Sequence, residues 1–442
     1  MKMFEGMHCG ELRFLFVLSQ KRPFLGQTCG NLLLLGFYAA VKQYNNLLGC
    51  LCVEVQNRFM EVDLRHIKRY GVIITLFVFM ITVASTVTAP AQTSQEGNPQ
   101  TTQANVLTPA EFEQWITFID SLVAKQRFSG VVRLVSPDGR VKFHRAYGLA
   151  RRKPDVPNRL NTQFNIASMG KMFTAVAILQ LMEQGKLSLD DPISKHAPGI
   201  MRDEVASKIR IKHLLNHSSG LENLATLALP EWHQYLPFLE MMKLSEEQLG
   251  TKYDYNDWNY VALGAIIERL TGEDYFAYTR KRIWKPAGLS LTGPYMLGRL
   301  PEYGAIGYYS TGPEDLPLFG TRWFRTSLLS TPFGGAYSTA EDLHRFFQAL
   351  HSGKLLRPVT VKMMMSPKPE LNNNRYGYGV QYFLDGKLVG HSGGEDVGAL
   401  DAWALQYPES GYFLVVLSNL RTNLGDESTA RPIVVKLLDF LK

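Results

Sequence analysis

The chain has 442 residues, 45% of them hydrophobic and 20% charged, as in an ordinary globular protein with room for one domain of about 250–350 residues or two smaller ones. Residues 1–91 hold nine Lys/Arg against five Asp/Glu and so carry over half of the net charge of +7; no Lys/Arg-rich run follows Gln92, which argues against a nucleic-acid partner. All four cysteines (Cys9, Cys29, Cys50, Cys52) precede residue 53, which excludes a disulfide framework and a Cys-ligated metal site in the main body.

The N-terminal part reads as an export leader. Arg65, Lys68 and Arg69 precede an apolar run from Gly71 to Ala84, and small residues follow through Ala91, which are the three parts of a secretory signal peptide. Cleavage is expected after Ala89 or Ala91; if the segment is not cleaved, residues 71–91 attach the protein to the membrane. Either way the protein is expected to be exported, to the periplasm or beyond. Met60 stands where a natural start would lie, so residues 1–59 are expected to be an extension outside the working protein. Residues 92–107 are polar and read as a linker, and residues 108–442 form the main domain.

Thr108, Pro109 and Glu111 make a capped helix start, continued at helical spacing by Phe112, Trp115, Ile116, Ile119 and Leu122. Two strand-like runs, Gly130–Val135 and Arg140–Tyr147, flank the turn Ser136-Pro137-Asp138-Gly139. The spacing predicts helices over 168–184, 258–270 and 340–352, each closed by a glycine. Strands are predicted at Tyr378–Leu384, Lys387–His391, Ala399–Tyr407 and Tyr412–Ser418, separated by turns at Asp385-Gly386, Gly393-Gly394 and Pro408–Gly411, with a last helix over 428–441. The fold class is therefore α/β in the α+β sense: an antiparallel sheet, flanked by helices, with a large and mainly helical insertion.

Three segments carry chemistry. Ser168 and Lys171 stand three apart at a helix start, on one helical face. Serine needs a base to become nucleophilic, and a lysine serves once burial favours its neutral form. A Ser-x-x-Lys arises by chance about once in a chain of this composition, so the spacing alone decides nothing. The surrounding residues decide more. Phe128–Val131, Ala146–Ala150, Phe164–Ala175, Ile209–Leu221 and Gly334–Leu343 resemble, in order, the serine β-lactamase and penicillin-binding-protein superfamily. The likeness is nearer to the group of class C β-lactamases, D-alanyl-D-alanine carboxypeptidases, D-aminopeptidases and related esterases.

That resemblance implies a β-lactamase/transpeptidase-like fold and acyl transfer through Ser168, with Lys171 as base and no metal or organic cofactor. It implies that Tyr255 passes a proton to the leaving group, a role that calls for Lys171 to lower the phenol's pKa. Here the family's Tyr-Ser-Asn reads Tyr255-Asn256-Asp257. The family asparagine both donates to and accepts from a substrate amide, whereas an ionised Asp257 can only accept; it would suit an amine or hydroxyl, or pair with Lys171. The third segment is His391-Ser392-Gly393-Gly394, read as a strand end before a turn. By resemblance His391 and Ser392 bind a substrate carboxylate or move protons, Gly393 admits the substrate, and the N–H groups of Ser168 and Gly394 form an oxyanion hole.

The implied partner is a small-molecule or peptide substrate: first a D-amino-acid peptide or peptidoglycan fragment, then a small ester, then a β-lactam. A sensor or scaffold without turnover is the alternative of another class. His213 and His217, four apart, resemble a zinc pair but lack the Glu of His-Glu-x-x-His, so no metal is expected.

Overall fold

A mainly apolar run at 130–135 sets the centre of the main domain. The computed structural model describes residues 106–441 except 153, 225–228, 230, 296–299, 310–315, 318–329, 369–370, 372–374, 396–399 and 422–427. The leader and nearly all of the linker therefore lie outside the described residues. Gly130–Val135 (β1) is buried at every position. Val131 and Val135 enter one apolar cluster and Val132 and Leu134 another, as period-two alternation requires of a strand covered on both faces.

Around β1 lie Val141–Tyr147 (β2), Gln381–Phe383 (β3), Leu388–Glu395 (β4), Leu400–Gln406 (β5) and Phe413–Ser418 (β6). The sheet order is β2-β1-β6-β5-β4-β3, and all five pairings are antiparallel, as the short turns in the sequence indicate. Five of the helices flank it: Pro109–Ala124 (α1), Lys171–Glu183 (α2), Asp257–Thr271 (α3), Ala340–His351 (α4) and Arg431–Phe440 (α5). The expected capping box closes α1: Glu111 N donates to Thr108 Oγ1 at 3.3 Å and Thr108 N donates to the Glu111 carboxylate at 2.8 Å. Trp115 Nε1 of α1 donates to Ile433 O of α5 at 3.1 Å, tying the two ends of the domain together over one face of the sheet. The insertion covers the other face, with Phe173, Ile266 and Phe346 in the same apolar cluster as Val131 and Val415.

Three expected elements shift, each because the backbone bonds elsewhere. The helix drawn over 168–184 starts at Lys171, after a 3₁₀ turn at Ala167–Gly170, because the carbonyl of Ala167 accepts from Gly335 N at 3.1 Å. The strand drawn at Tyr378–Leu384 shrinks to Gln381–Phe383, since Tyr378 N donates to Met364 O and Gly377 N to Val380 O. The strand ending at His391 instead runs on through Ser392, Gly393 and Gly394 to Glu395, in register with Trp403, Ala402, Asp401 and Leu400. Gly393-Gly394 is therefore strand and not turn. Among the described residues no helix is long and apolar enough to cross a membrane.

Candidate active site

A short strand positions the nucleophile. Phe164–Asn165 pairs antiparallel with Tyr337–Ser338, Ile166 N donates to Ala336 O at 2.8 Å, and Ala167 N donates to Asn165 Oδ1 at 2.8 Å. These bonds hold Ala167 at φ +43°, a left-handed conformation that costs a residue with a Cβ about 1–3 kcal/mol. Opposite it, a Cβ at Gly334 would lie 2.6 Å from Ala167 O and 3.2 Å from Ser168 N, so only glycine lets the loop approach this closely. Ser168 sits half-buried on this turn at the head of α2, where backbone N–H groups lack intrahelical partners.

Lys171, on the first turn of α2, is fully buried. Its Nζ lies 3.2 Å from Ser168 Oγ, 2.8 Å from Phe333 O and 2.7 Å from Asp257 Oδ1. The rings of Tyr255, Tyr260 and Phe333 enclose the amine at 4.8, 5.7 and 5.7 Å. Burial pushes the Lys171 pKa down, and the Asp257 carboxylate opposes that fall. A neutral Nζ can accept the Ser168 proton across the same contact.

Asn256 caps α3: its Oδ1 accepts from Trp258 N at 3.0 Å and its Nδ2 donates to Leu221 O at 3.0 Å. This cap turns Tyr255 and Asp257 toward Lys171 from either side. Burial, joined by the nearby Asp257 charge, holds the Tyr255 phenol well above the ordinary value of 10, and the neighbouring Ser168 opposes that rise. The expectation that Lys171 lowers this pKa is corrected: Lys171 lies against the ring face, and Asp257 takes up its charge. Tyr255 is a protonated phenol in the resting site, able to give a proton.

His217 supports this loop from below. It is fully buried, its Nδ1 accepts from Asn256 N at 3.1 Å, and its ring lies 4.4 Å from that of Tyr255. Its own backbone carbonyl accepts from Asp254 N at 2.8 Å. The short helix carrying His213 ends at Leu215, and His217 lies beyond it at φ +59°, so the two histidines share no helical face and form no zinc pair.

Gly393 lays β4 on the nucleophile turn, since a Cβ there would meet Ile166 O at 2.1 Å. Ser392 N donates to Gln381 Oε1 at 3.0 Å, which points it to the β3 side of the strand. Two residues on, the Gly394 N–H points the same way, past the end of β3 at Gln381, where an oxyanion can take it. Ser392 Oγ also donates to Gln381 Oε1, at 3.0 Å. His391 differs from expectation. It is fully buried, its Nε2 lies 3.0 Å from Tyr376 Oη, its Nδ1 contacts Ser392 O, and burial lowers its pKa to about 3. A neutral imidazole with both nitrogens engaged is no ligand for a substrate carboxylate; it braces β4 against Tyr376.

The β-lactamase family model matches residues 115–438. PbpX of Bacillus subtilis (strain 168), whose name places it among the penicillin-binding proteins, is 31% identical over 310 residues, 67% of this chain and 72% of that one. The chain belongs to the β-lactamase family. This is the serine β-lactamase and penicillin-binding-protein superfamily, whose members are in general serine hydrolases. Two solved structures share the fold. A penicillin-binding protein from Bacillus halodurans is 24% identical with a TM-score of 0.62, over 73% of this chain and 98% of that one. A D-amino acid amidase from Ochrobactrum anthropi SV3, complexed with D-phenylalanine, is 24% identical with a TM-score of 0.65, over 75% of this chain and 99% of that one.

The structure brings Ser168, Lys171, Tyr255 and Asp257 into one cluster, lays Gly393 and Gly394 beside it, and sets His391 and Ser392 behind. Two contributors escape the sequence reading. The Phe333 carbonyl is a backbone group 162 positions from Lys171, and no pattern announces it. His217 does stand out in the sequence, as a residue that the family likeness places at a structural helix end, but its contact with Asn256 spans 39 positions.

Proposed function

We propose that this member of the β-lactamase family is an exported hydrolase that cleaves an amide bond in a D-amino-acid peptide or peptidoglycan-type substrate through an acyl-enzyme on Ser168. The observation that carries the chemistry is the buried Lys171 Nζ, 3.2 Å from Ser168 Oγ. Ser168 Oγ bonds to the substrate carbonyl carbon while its proton passes to neutral Lys171, and the carbonyl oxygen takes the N–H groups of Ser168 and Gly394. The C–N bond then breaks, and the leaving amine departs with a proton from Tyr255, which Lys171 replaces. Water attacks the ester that remains, and the same groups return its proton to Ser168.

The D-amino-acid substrate class is supported by the likeness to the D-amino acid amidase fold and by the penicillin-binding relatives. Asp257 in the asparagine position favours it over β-lactams. Export rests on the leader read over residues 60–91. Release of ammonia from D- and L-amino acid amides, beside hydrolysis of p-nitrophenyl acetate and nitrocefin, tests the substrate class. Preferred release from the D-amides supports the reading. Turnover of the ester or the β-lactam alone moves the assignment to an esterase or a β-lactamase.

A further inference from the structure

The geometry points to Asp257 as the residue that selects substrates with a free, positively charged amine beside the scissile carbonyl, over substrates whose amine is acylated. This inference rests on the acyl-enzyme reading and narrows its substrate class.

Asp257 Oδ1 is 2.7 Å from Lys171 Nζ, which is itself 3.2 Å from Ser168 Oγ. The carboxylate oxygen therefore lies no farther from the nucleophile than those two contacts laid end to end. In an α-amino acyl group the nitrogen stands two bonds from the carbonyl carbon. With that carbon at Ser168 Oγ, the ammonium falls within reach of Asp257. The two partners differ in access: the Lys171 side chain is 0% exposed and that of Asp257 26%. Among the described residues no group donates to the second Asp257 oxygen, which leaves one acceptor on a charged group at the open side of the site. A carboxylate takes an ammonium in a short charge-assisted bond, whereas an acylated nitrogen offers one weaker, neutral donor. Asn256, the other polar residue of the segment, spends its amide on Trp258 and on the carbonyl of Leu221, so it cannot take this part.

The choice of substrate also acts on the base. Asp257 holds the charged form of Lys171 against burial. An ammonium seated on Asp257 takes over that carboxylate and removes the one charge that opposes burial, which deepens the downward shift of Lys171 and favours the neutral amine that Ser168 needs. An acylated substrate brings no such charge and leaves the Lys171–Asp257 pair intact.

The test compares D-alanine p-nitroanilide with N-acetyl-D-alanine p-nitroanilide on the full chain and on Asp257→Asn, each also labelled with a fluorophosphonate. The wild-type protein is expected to favour the free amine in kcat/KM by about 10- to 100-fold, the range of a hydrogen bond to a charged group. Asp257→Asn is expected to lose at least tenfold of that preference while still labelling at Ser168. Equal use of both substrates by the wild type, preference for the acetylated one, or an unchanged ratio in the variant overturns the inference. So does turnover of neither substrate with labelling intact. Absence of labelling in the wild type overturns instead the serine hydrolase reading beneath it. The wild-type ratio is decisive by itself if the variant does not fold.

Discussion

Among the described residues two places bury a cation among histidines, and one of these two is built for chemistry. At the site, Lys171 is 0% exposed and meets a hydroxyl, a carbonyl and a carboxylate, with His217 and His391 close by. Farther along the same face of the sheet, Arg133 of β1 is 8% exposed and bonds His144 Nδ1 at 2.8 Å, with His344 and Glu341 of α4 in its field. Burial lowers the pKa of both cations. A lysine so placed can become neutral and take a proton, but an arginine stays charged throughout the working range. Burial of a charge thus marks strain in the fold; a titratable charge in contact with a nucleophile marks function.

The largest effect is expected where that distinction is removed. Lys171→Arg keeps the charge and forfeits the base, so kcat/KM on the p-nitroanilide is expected to fall on the order of 10⁴-fold or more, as for Ser168→Ala. Retention of a tenth of the activity by Lys171→Arg would show that the two clusters differ only in degree. Tyr255→Phe keeps the ring over Lys171 and removes the proton donor. A loss of about 10²- to 10⁴-fold in kcat is expected, with fluorophosphonate labelling slowed and the melting temperature little changed. A variant with normal kcat would take Tyr255 out of the proton path.

Acid sharpens the comparison further, because both clusters contain buried neutral histidines. Desolvation sets His344 at about 4 and His391 at about 3, and it holds His217 well below 6.5. Between pH 6.5 and about 4 the unfolded chain therefore binds protons that the folded chain refuses. Stability is flat above that window and falls as pH drops through it, by up to about 1.4 kcal/mol per pH unit for each histidine. Chemical denaturation at pH 7.5, 5.5 and 4.5 reads that slope. Replacing His344 by Gln is expected to remove one proton from it without touching activity at pH 7.5. The smallest effect is expected at the second cation. Arg133→Met strands His144 Nδ1 and is expected to cost about 1–3 kcal/mol of stability while kcat/KM stays within about twofold. A large activity loss at full stability would link the two clusters in function.

How far the sequence carried this picture depends on the range of each interaction. The sheet was legible because β1, β5 and β6 are short, mainly apolar runs between turn residues, buried on both faces, and α1 because its capping box is local. Ser168 and Lys171 were legible as a pair since one helical turn joins them. The pairing of Asp257 with Lys171 was one of several options the sequence left open; a contact between α2 and α3 selects it. The glycine pair after Ser392 looked like a turn because glycine favours turns, and only the closeness of Ile166 O shows why a strand needs it there. His391 looked like a substrate ligand because its burial is a property of the packed molecule and not of its neighbours in sequence.

The most direct test of the central claim is fluorophosphonate labelling of the full chain with the adduct located by mass spectrometry, beside Ser168→Ala and Lys171→Ala. The structure predicts one adduct, on Ser168, abolished in the first variant and slowed at least a hundredfold in the second. An adduct on another residue, or equal labelling in Lys171→Ala, would contradict the assignment of Ser168 as nucleophile and Lys171 as its base.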